Sequence, residues 1–98
     1  MLILPIKRKW FDMIESGIKR EEYREDTQYW RSRFVKLITS AETISKKHRC
    51  LLRNGYGADK STLEIEYVLE FREGREEWGA EKGKKYFVLI LLDVKRIK

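Results

Sequence analysis

The sequence predicts an α+β domain built on a small, mostly antiparallel β-barrel of about five to six strands with two short helices. Three observations predict it. Residues 62–71 alternate, with Leu63, Ile65, Tyr67, Leu69 and Phe71 on one face and Thr62, Glu64, Glu66, Val68 and Glu70 on the other, the period of a strand with one wet face. Residues 86–92, Tyr-Phe-Val-Leu-Ile-Leu-Leu, are apolar on both faces and need cover on two sides. The chain has 98 residues, close to the ~100–150 of a common single domain, so residues 1–98 hold one core. Strands around so small a core avoid exposed edges by curling.

The remaining elements follow in order. Leu2-Ile3-Leu4 runs into the single proline, Pro5, which cannot donate to a ladder and marks a strand end or an edge. Residues 7–16 form a short helix with Trp10, Phe11 and Ile14 as its apolar stripe, ended by Gly17. Asp26 or Thr27 can cap a second helix, in which Trp30, Phe34, Leu37 and Ile38 recur at helical spacing. Its later part, Phe34 to Thr39, equally fits a strand. Residues 49–53 read as a strand ending in the turn Asn54-Gly55-Tyr56-Gly57. Strands 63–71 and 86–92 should pair antiparallel across the charged 72–85 loop, which carries three glycines and Trp78.

Composition narrows the function classes. No apolar run approaches the ~20 residues of a transmembrane helix, which predicts no membrane partner. Aromatic residues make up 12% of the chain, too many for a disordered segment. Twenty-two Lys and Arg against 16 Asp and Glu give a net charge of +6, a balance suited to polyanions and equally to plain solubility. The lone cysteine, Cys50, lies in the apolar run Cys50-Leu51-Leu52 and reads as a buried, inert thiol. One His and one Cys leave a zinc site short of ligands, so no metal and no cofactor are expected. Basic residues after a short apolar start are the reverse of a signal peptide, and the expected compartment is the cytoplasm.

One segment does not fit a core. Seven of the eight residues from Lys19 to Asp26 are charged, Tyr23 being the exception. As a regular strand it would put Ile18, Arg20, Glu22 and Arg24 on one face and Lys19, Glu21, Tyr23 and Glu25 on the other. Neither face is apolar. A solvated surface hairpin explains the pattern; so does a strand lining a polar cleft. Arg24 can fork two hydrogen bonds to a phosphate or carboxylate, and Glu22 can hold that guanidinium or accept from a base amino group. Lys19 reaches the same cleft only if the strand starts late or a bulge follows Gly17.

Gly17-Ile18-Lys19-Arg20-Glu21-Glu22-Tyr23-Arg24 matches the pattern G-x-K-x-x-E-x-R and resembles the signature of the ASCH domain, a family similar in fold to the RNA-binding PUA domain. The Leu-Pro-Ile-Lys start, Arg53-Asn54-Gly55-Tyr56-Gly57 and Glu77-Trp78-Gly79-Ala80 also resemble small ASCH proteins of phages and prophages. The resemblance implies a PUA-like barrel with a cleft at the motif and a role in binding RNA or nucleotides. One bacterial branch of the family hydrolyses acetylcytidine with a lysine, a threonine and a glutamate. Lys19 matches the lysine, Glu22 stands in place of the threonine, and the third group would fall near Glu76 or Glu77. Other members are assigned ribonuclease activity.

These readings combine into one expectation and its rivals. The expected ligand is RNA, a nucleotide or a modified nucleoside, bound by Lys19, Glu22, Tyr23, Arg24, Tyr56 and Trp78. Lys46, Lys47, Arg49 and Arg53, in the acid-free stretch from Thr43 to Tyr56, are candidate phosphate contacts. In the enzymatic alternative, a modified-base hydrolase or a metal-independent ribonuclease, Lys19 is base or nucleophile, Glu22 a proton shuttle and Arg24 the anion stabiliser. A third possibility is an interaction module with a degenerate site.

Overall fold

The computed structural model describes residues 1–40, 46–56 and 60–98. Thr43, where the acid-free stretch begins, and Gly57 of the expected turn lie outside the described residues. Five strands and two α-helices run in the order β1 (Ile3–Ile6), α1 (Arg8–Glu15), β2 (Glu21–Glu25), α2 (Gln28–Thr39), β3 (His48–Asn54), β4 (Thr62–Glu73) and β5 (Lys85–Arg96), with a short 3₁₀ turn at Glu76–Trp78.

The strands form one sheet in the order β1-β3-β4-β5-β2. β4 and β5 pair antiparallel from Leu63 opposite Arg96 to Glu73 opposite Lys85, as the alternating and doubly apolar runs require. The register slips between Glu66 and Tyr67, which face Asp93 and Leu91. Leu92 is the extra residue of this bulge and stands 44% exposed. β3–β4 and β5–β2 are also antiparallel, whereas β1 runs parallel to β3. The sheet is therefore mixed, and it curls into a half-barrel rather than a closed barrel. Pro5 falls on the edge strand β1, where no ladder hydrogen bond is lost.

The concave side holds Leu4, Leu52, Leu63, Ile65, Phe87 and Leu89, covered by Phe11 and Ile14 of α1 and Phe34 of α2. Segment 34–39 is helical, and Thr27 rather than Asp26 caps α2: its hydroxyl accepts from the Trp30 N–H at 3.3 Å. On the other face of β5, Tyr86 and Val88 pack with Ala80 and the half-buried Tyr23 and Ile90. The run 86–91 is thus covered twice because the 72–85 segment folds back over the convex face.

Candidate nucleotide site

The motif is built by a late strand start. α1 ends at Ser16, Gly17 turns the chain at φ 85°, and the Lys19 N–H returns to the Met13 carbonyl at 2.9 Å. β2 begins only at Glu21, so Lys19 precedes the alternation that would put it opposite Glu22. Its ammonium reaches the Glu22 Oε1 at 2.8 Å and also donates to the Glu21 carbonyl. From the other side, Arg24 Nη1 donates to Glu22 Oε2 at 2.6 Å. Glu22 is bridged by two cations, and both of its oxygens are engaged.

This triad is buried. Side-chain exposures are 0% for Lys19, 7% for Glu22 and 13% for Arg24. Burial pulls the Lys19 ammonium below its ordinary pKa, and the pairing with Glu22 offsets only part of that. The rings of Trp10 and Tyr23 lie 5.4 and 4.9 Å from the Lys19 Nζ and face its charge. Arg24 also donates to the Tyr23 carbonyl at 2.8 Å and, through Nη2, to the Pro5 carbonyl at 3.0 Å. β1 and β2 are the two free edges of the sheet, so this single side chain ties the open rims of the half-barrel together.

A second charged layer supports Tyr23. Its hydroxyl donates to Glu21 Oε1 at 2.7 Å and accepts the Arg75 N–H at 2.9 Å. Arg72 closes on the same carboxylate at 2.8 Å. Burial would raise the Glu21 carboxyl, but the hydrogen bonds from Arg72 and Tyr23 outweigh it and hold the pKa below the ordinary value. Desolvation raises the Tyr23 phenol well above its usual range. Every buried polar atom here has a partner, so the ring is fixed in place.

A cavity of about 310 Å³ opens where β1, β2 and the 72–85 segment meet. Glu22 and Arg24 form its floor, and Trp10, Tyr23, Trp78 and Tyr86 contribute its flat walls. Gly79 admits the Trp10 ring: its φ is 100°, and a Cβ there would sit 3.0 Å from the indole. Such a volume lies at the small end of ligand pockets, roughly 300–1,000 Å³.

The expected residues divide. Glu22, Tyr23, Arg24 and Trp78 line this cavity; Lys19 does not, and stands behind Glu22 as a positioning group. Tyr56 lies in an adjoining hollow with Pro5, Ile6 and Lys7. Glu77 pairs with Arg75 at 3.0 Å, and neither it nor Glu76 borders the cavity; Glu81 does. The basic stretch is acid-free only along the chain. Across the ladder, Arg49 meets Glu64 and Glu66 at 3.7 Å, and Lys47 meets Glu66 at 4.0 Å. Lys46 is exposed, and Arg53 is half-buried on β3. β4 thus sets acidic partners beside Lys47 and Arg49.

Sequence reasoning missed Trp10, Tyr86 and Glu81 as lining residues, and Lys7 stood out only as one of the basic residues Lys7-Arg8-Lys9 that could contact phosphate. Trp10 sat in a core-like stripe, yet only Phe11 and Ile14 of that stripe are buried. The step from Lys7 to Trp10 across a helix start is the one local signal that a cation and a ring share a rim. Among the described residues no group of three His, Cys, Asp or Glu side chains is placed to hold a metal ion, and no helix is long and apolar enough to cross a membrane.

Chemically, the floor pairs one cation, Arg24, with one anion, Glu22, and Lys7, Glu25 and Glu81 add charge of both signs around the aromatic walls. That combination suits a planar, electron-rich ring with an anionic or carbonyl oxygen directed at Arg24. Comparison with protein-family models, curated proteins and solved structures found no match for this chain.

Proposed function

We propose that the chain is an ASCH-like domain that binds RNA, a nucleotide or a modified nucleoside, with a base held in the aromatic cavity over Arg24 and Glu22. The observation that carries the reading is the convergence of Trp10, Tyr23, Trp78 and Tyr86 around the Arg24–Glu22 floor. Stacking a base on one aromatic face is worth about 1–3 kcal/mol, and Arg24 supplies a fixed guanidinium for an oxygen of the ring or of a phosphate.

Hydrolysis of a modified base, or metal-independent RNA cleavage, is the second reading, favoured by the lowered pKa of Lys19. Binding is the better supported of the two. The Lys19 side chain is fully buried and does not line the cavity, and each Glu22 oxygen is already held by a cation.

The test is calorimetric titration with the four nucleosides, their monophosphates, acetylcytidine and short single-stranded RNAs, together with product analysis. Binding to the parent that weakens about tenfold in Trp78→Ala supports the site. Absence of binding by every ligand at millimolar concentration refutes it. Product formation that vanishes in Lys19→Met transfers the assignment to the hydrolytic reading.

A further inference from the structure

The cavity does not end at the β1 rim. Pro5, Ile6 and Lys7 form one side of it and also one side of a second hollow of about 350 Å³, whose opposite side is Gly55 and Tyr56. Two hollows of similar size therefore meet along the end of β1. The backbone at their junction is fixed: the Gly55 N–H donates to the Ile6 carbonyl at 2.9 Å, and Gly55 takes φ 78°. The Tyr56 ring, by contrast, is 84% exposed. Two other exposed rings are partnered: Tyr29 packs edge-on to Trp30 and beneath Arg33, and Phe71 packs against Phe87. Lys7, exposed and without an ion-pair partner among the described residues, belongs to both hollows.

We infer that the Tyr56 hollow is a second base subsite, so that the ligand is a single-stranded nucleotide step, two bases joined by a phosphate, rather than a free nucleoside. The inference rests on reading the first cavity as a base site. A phenol held out in water presents an apolar face that any base can cover, since every base has a π-face. The phosphate between two adjacent bases carries one negative charge, and Lys7 stands at the junction where that charge would fall. A free nucleoside would fill one hollow, leaving Tyr56 bare and Lys7 without a counter-charge.

The experiment compares, on the whole chain at fixed low salt, the affinities of nucleosides and of the dinucleoside monophosphates built from them. One added stacked base corresponds to about 5- to 150-fold. The better dinucleoside monophosphate should bind at least about tenfold more tightly than either of its nucleosides. That ratio should fall at least about fivefold in Tyr56→Ala and persist in Tyr56→Phe, which keeps the ring. The dinucleoside affinity should weaken as salt screens the single phosphate–Lys7 contact, and Lys7→Gln should lessen that dependence. A parent ratio near one, or a ratio that survives Tyr56→Ala, overturns the second subsite. Nucleosides that bind without any gain from the second base leave the first cavity standing as a base site. No binding by either class overturns both.

Discussion

Replacing Glu22 separates a buried, structural ion triad from a surface one. The carboxylate bridges Lys19 at 2.8 Å and Arg24 at 2.6 Å, and the three side chains are 0%, 7% and 13% exposed for Lys19, Glu22 and Arg24. Glu22→Gln keeps the shape and one acceptor, but turns an N–H₂ toward one of the two cations and removes their shared counter-charge. Breaking a buried pair by removing one partner costs about 3–5 kcal/mol. Because the amide retains one hydrogen bond, the lower end, about 3 kcal/mol, applies. Domains of this size lose about 4–8 °C per kcal/mol, so the melting temperature should fall by roughly 12–24 °C. Lys19→Met removes two charge-assisted hydrogen bonds, to Glu22 and to the Glu21 carbonyl, at about 1.5–3 kcal/mol each, offset by the burial of an apolar side chain. Glu22 then keeps Arg24, and the apolar side chain meets Trp10 and Tyr23. In the double variant, Arg24 still has the Tyr23 and Pro5 carbonyls. The Glu22→Gln step should therefore be about 1–2 kcal/mol cheaper there than in the parent. The assay is urea denaturation of all four proteins, followed by circular dichroism and analysed with a common m-value. A Glu22→Gln cost below about 1 kcal/mol, or single effects that add within ~0.5 kcal/mol, would refute a buried, coupled triad. Were the charged segment a solvated surface hairpin, Lys19→Ala and Arg24→Ala would leave the melting temperature nearly unchanged; the burial of all three groups predicts a loss instead.

Four further outcomes follow from the same geometry. Leu89, 0% exposed, should lose ~2–5 kcal/mol on truncation to Ala, whereas the half-buried Ile90 should lose clearly less; equal losses in chemical denaturation would contradict the lighter cover over the Ile90 face of β5. Lys19 has a folded pKa below its ordinary value of 10.5, so in the window just below 10.5 the unfolded chain binds more protons and stability due to this group rises with pH. Denaturation curves through that window should show a shallower rise for Lys19→Met than for the parent, and parallel curves would remove Lys19 as the source. Cys50 is fully buried, and burial pushes its thiol up to about 12; a thiol reagent at pH 8 should label it only as the protein unfolds, and prompt labelling of the native chain would contradict its placement. Lys47→Ala and Arg49→Ala should leave the salt slope of RNA binding nearly unchanged, because Glu64 and Glu66 already pair these cations; a drop of about 0.7 per residue would restore them as phosphate contacts.

The tie from Arg24 to the Pro5 carbonyl gives the motif a structural duty beside any ligand contact. An open curled sheet has two rims, and here β1 and β2 are joined by one guanidinium rather than by a backbone ladder. A lysine at position 24 could not fork in this way between Glu22, Tyr23 and Pro5.

Local pattern alone determined much of the architecture. The alternation at 62–71 and the doubly apolar 86–92 specified β4, β5 and their antiparallel pairing, because a period of two and a two-sided apolar run each admit few burial solutions. Gly17 and Thr27 marked the end of α1 and the start of α2, and Pro5 the edge strand β1, through backbone chemistry that acts within a few residues. The charged stretch at 19–26 was legible as something other than a core strand, and Glu22 with Arg24 as a same-face pair. What lay beyond reach was every relation set by a partner distant in sequence. Strand parity separated Lys19 from Glu22 unless the strand started late, and the fold supplied that late start, with the Lys19 N–H returned to Met13 and β2 beginning at Glu21. The basic stretch looked unopposed until β4 laid Glu64 and Glu66 beside it. Trp10 resembled core until the φ of 100° at Gly79, some seventy residues away, opened a place for its ring at the cavity wall. Sequence period dictates which way a side chain points from its own element; which side chains it meets, and whether water reaches them, is decided only when the sheet curls.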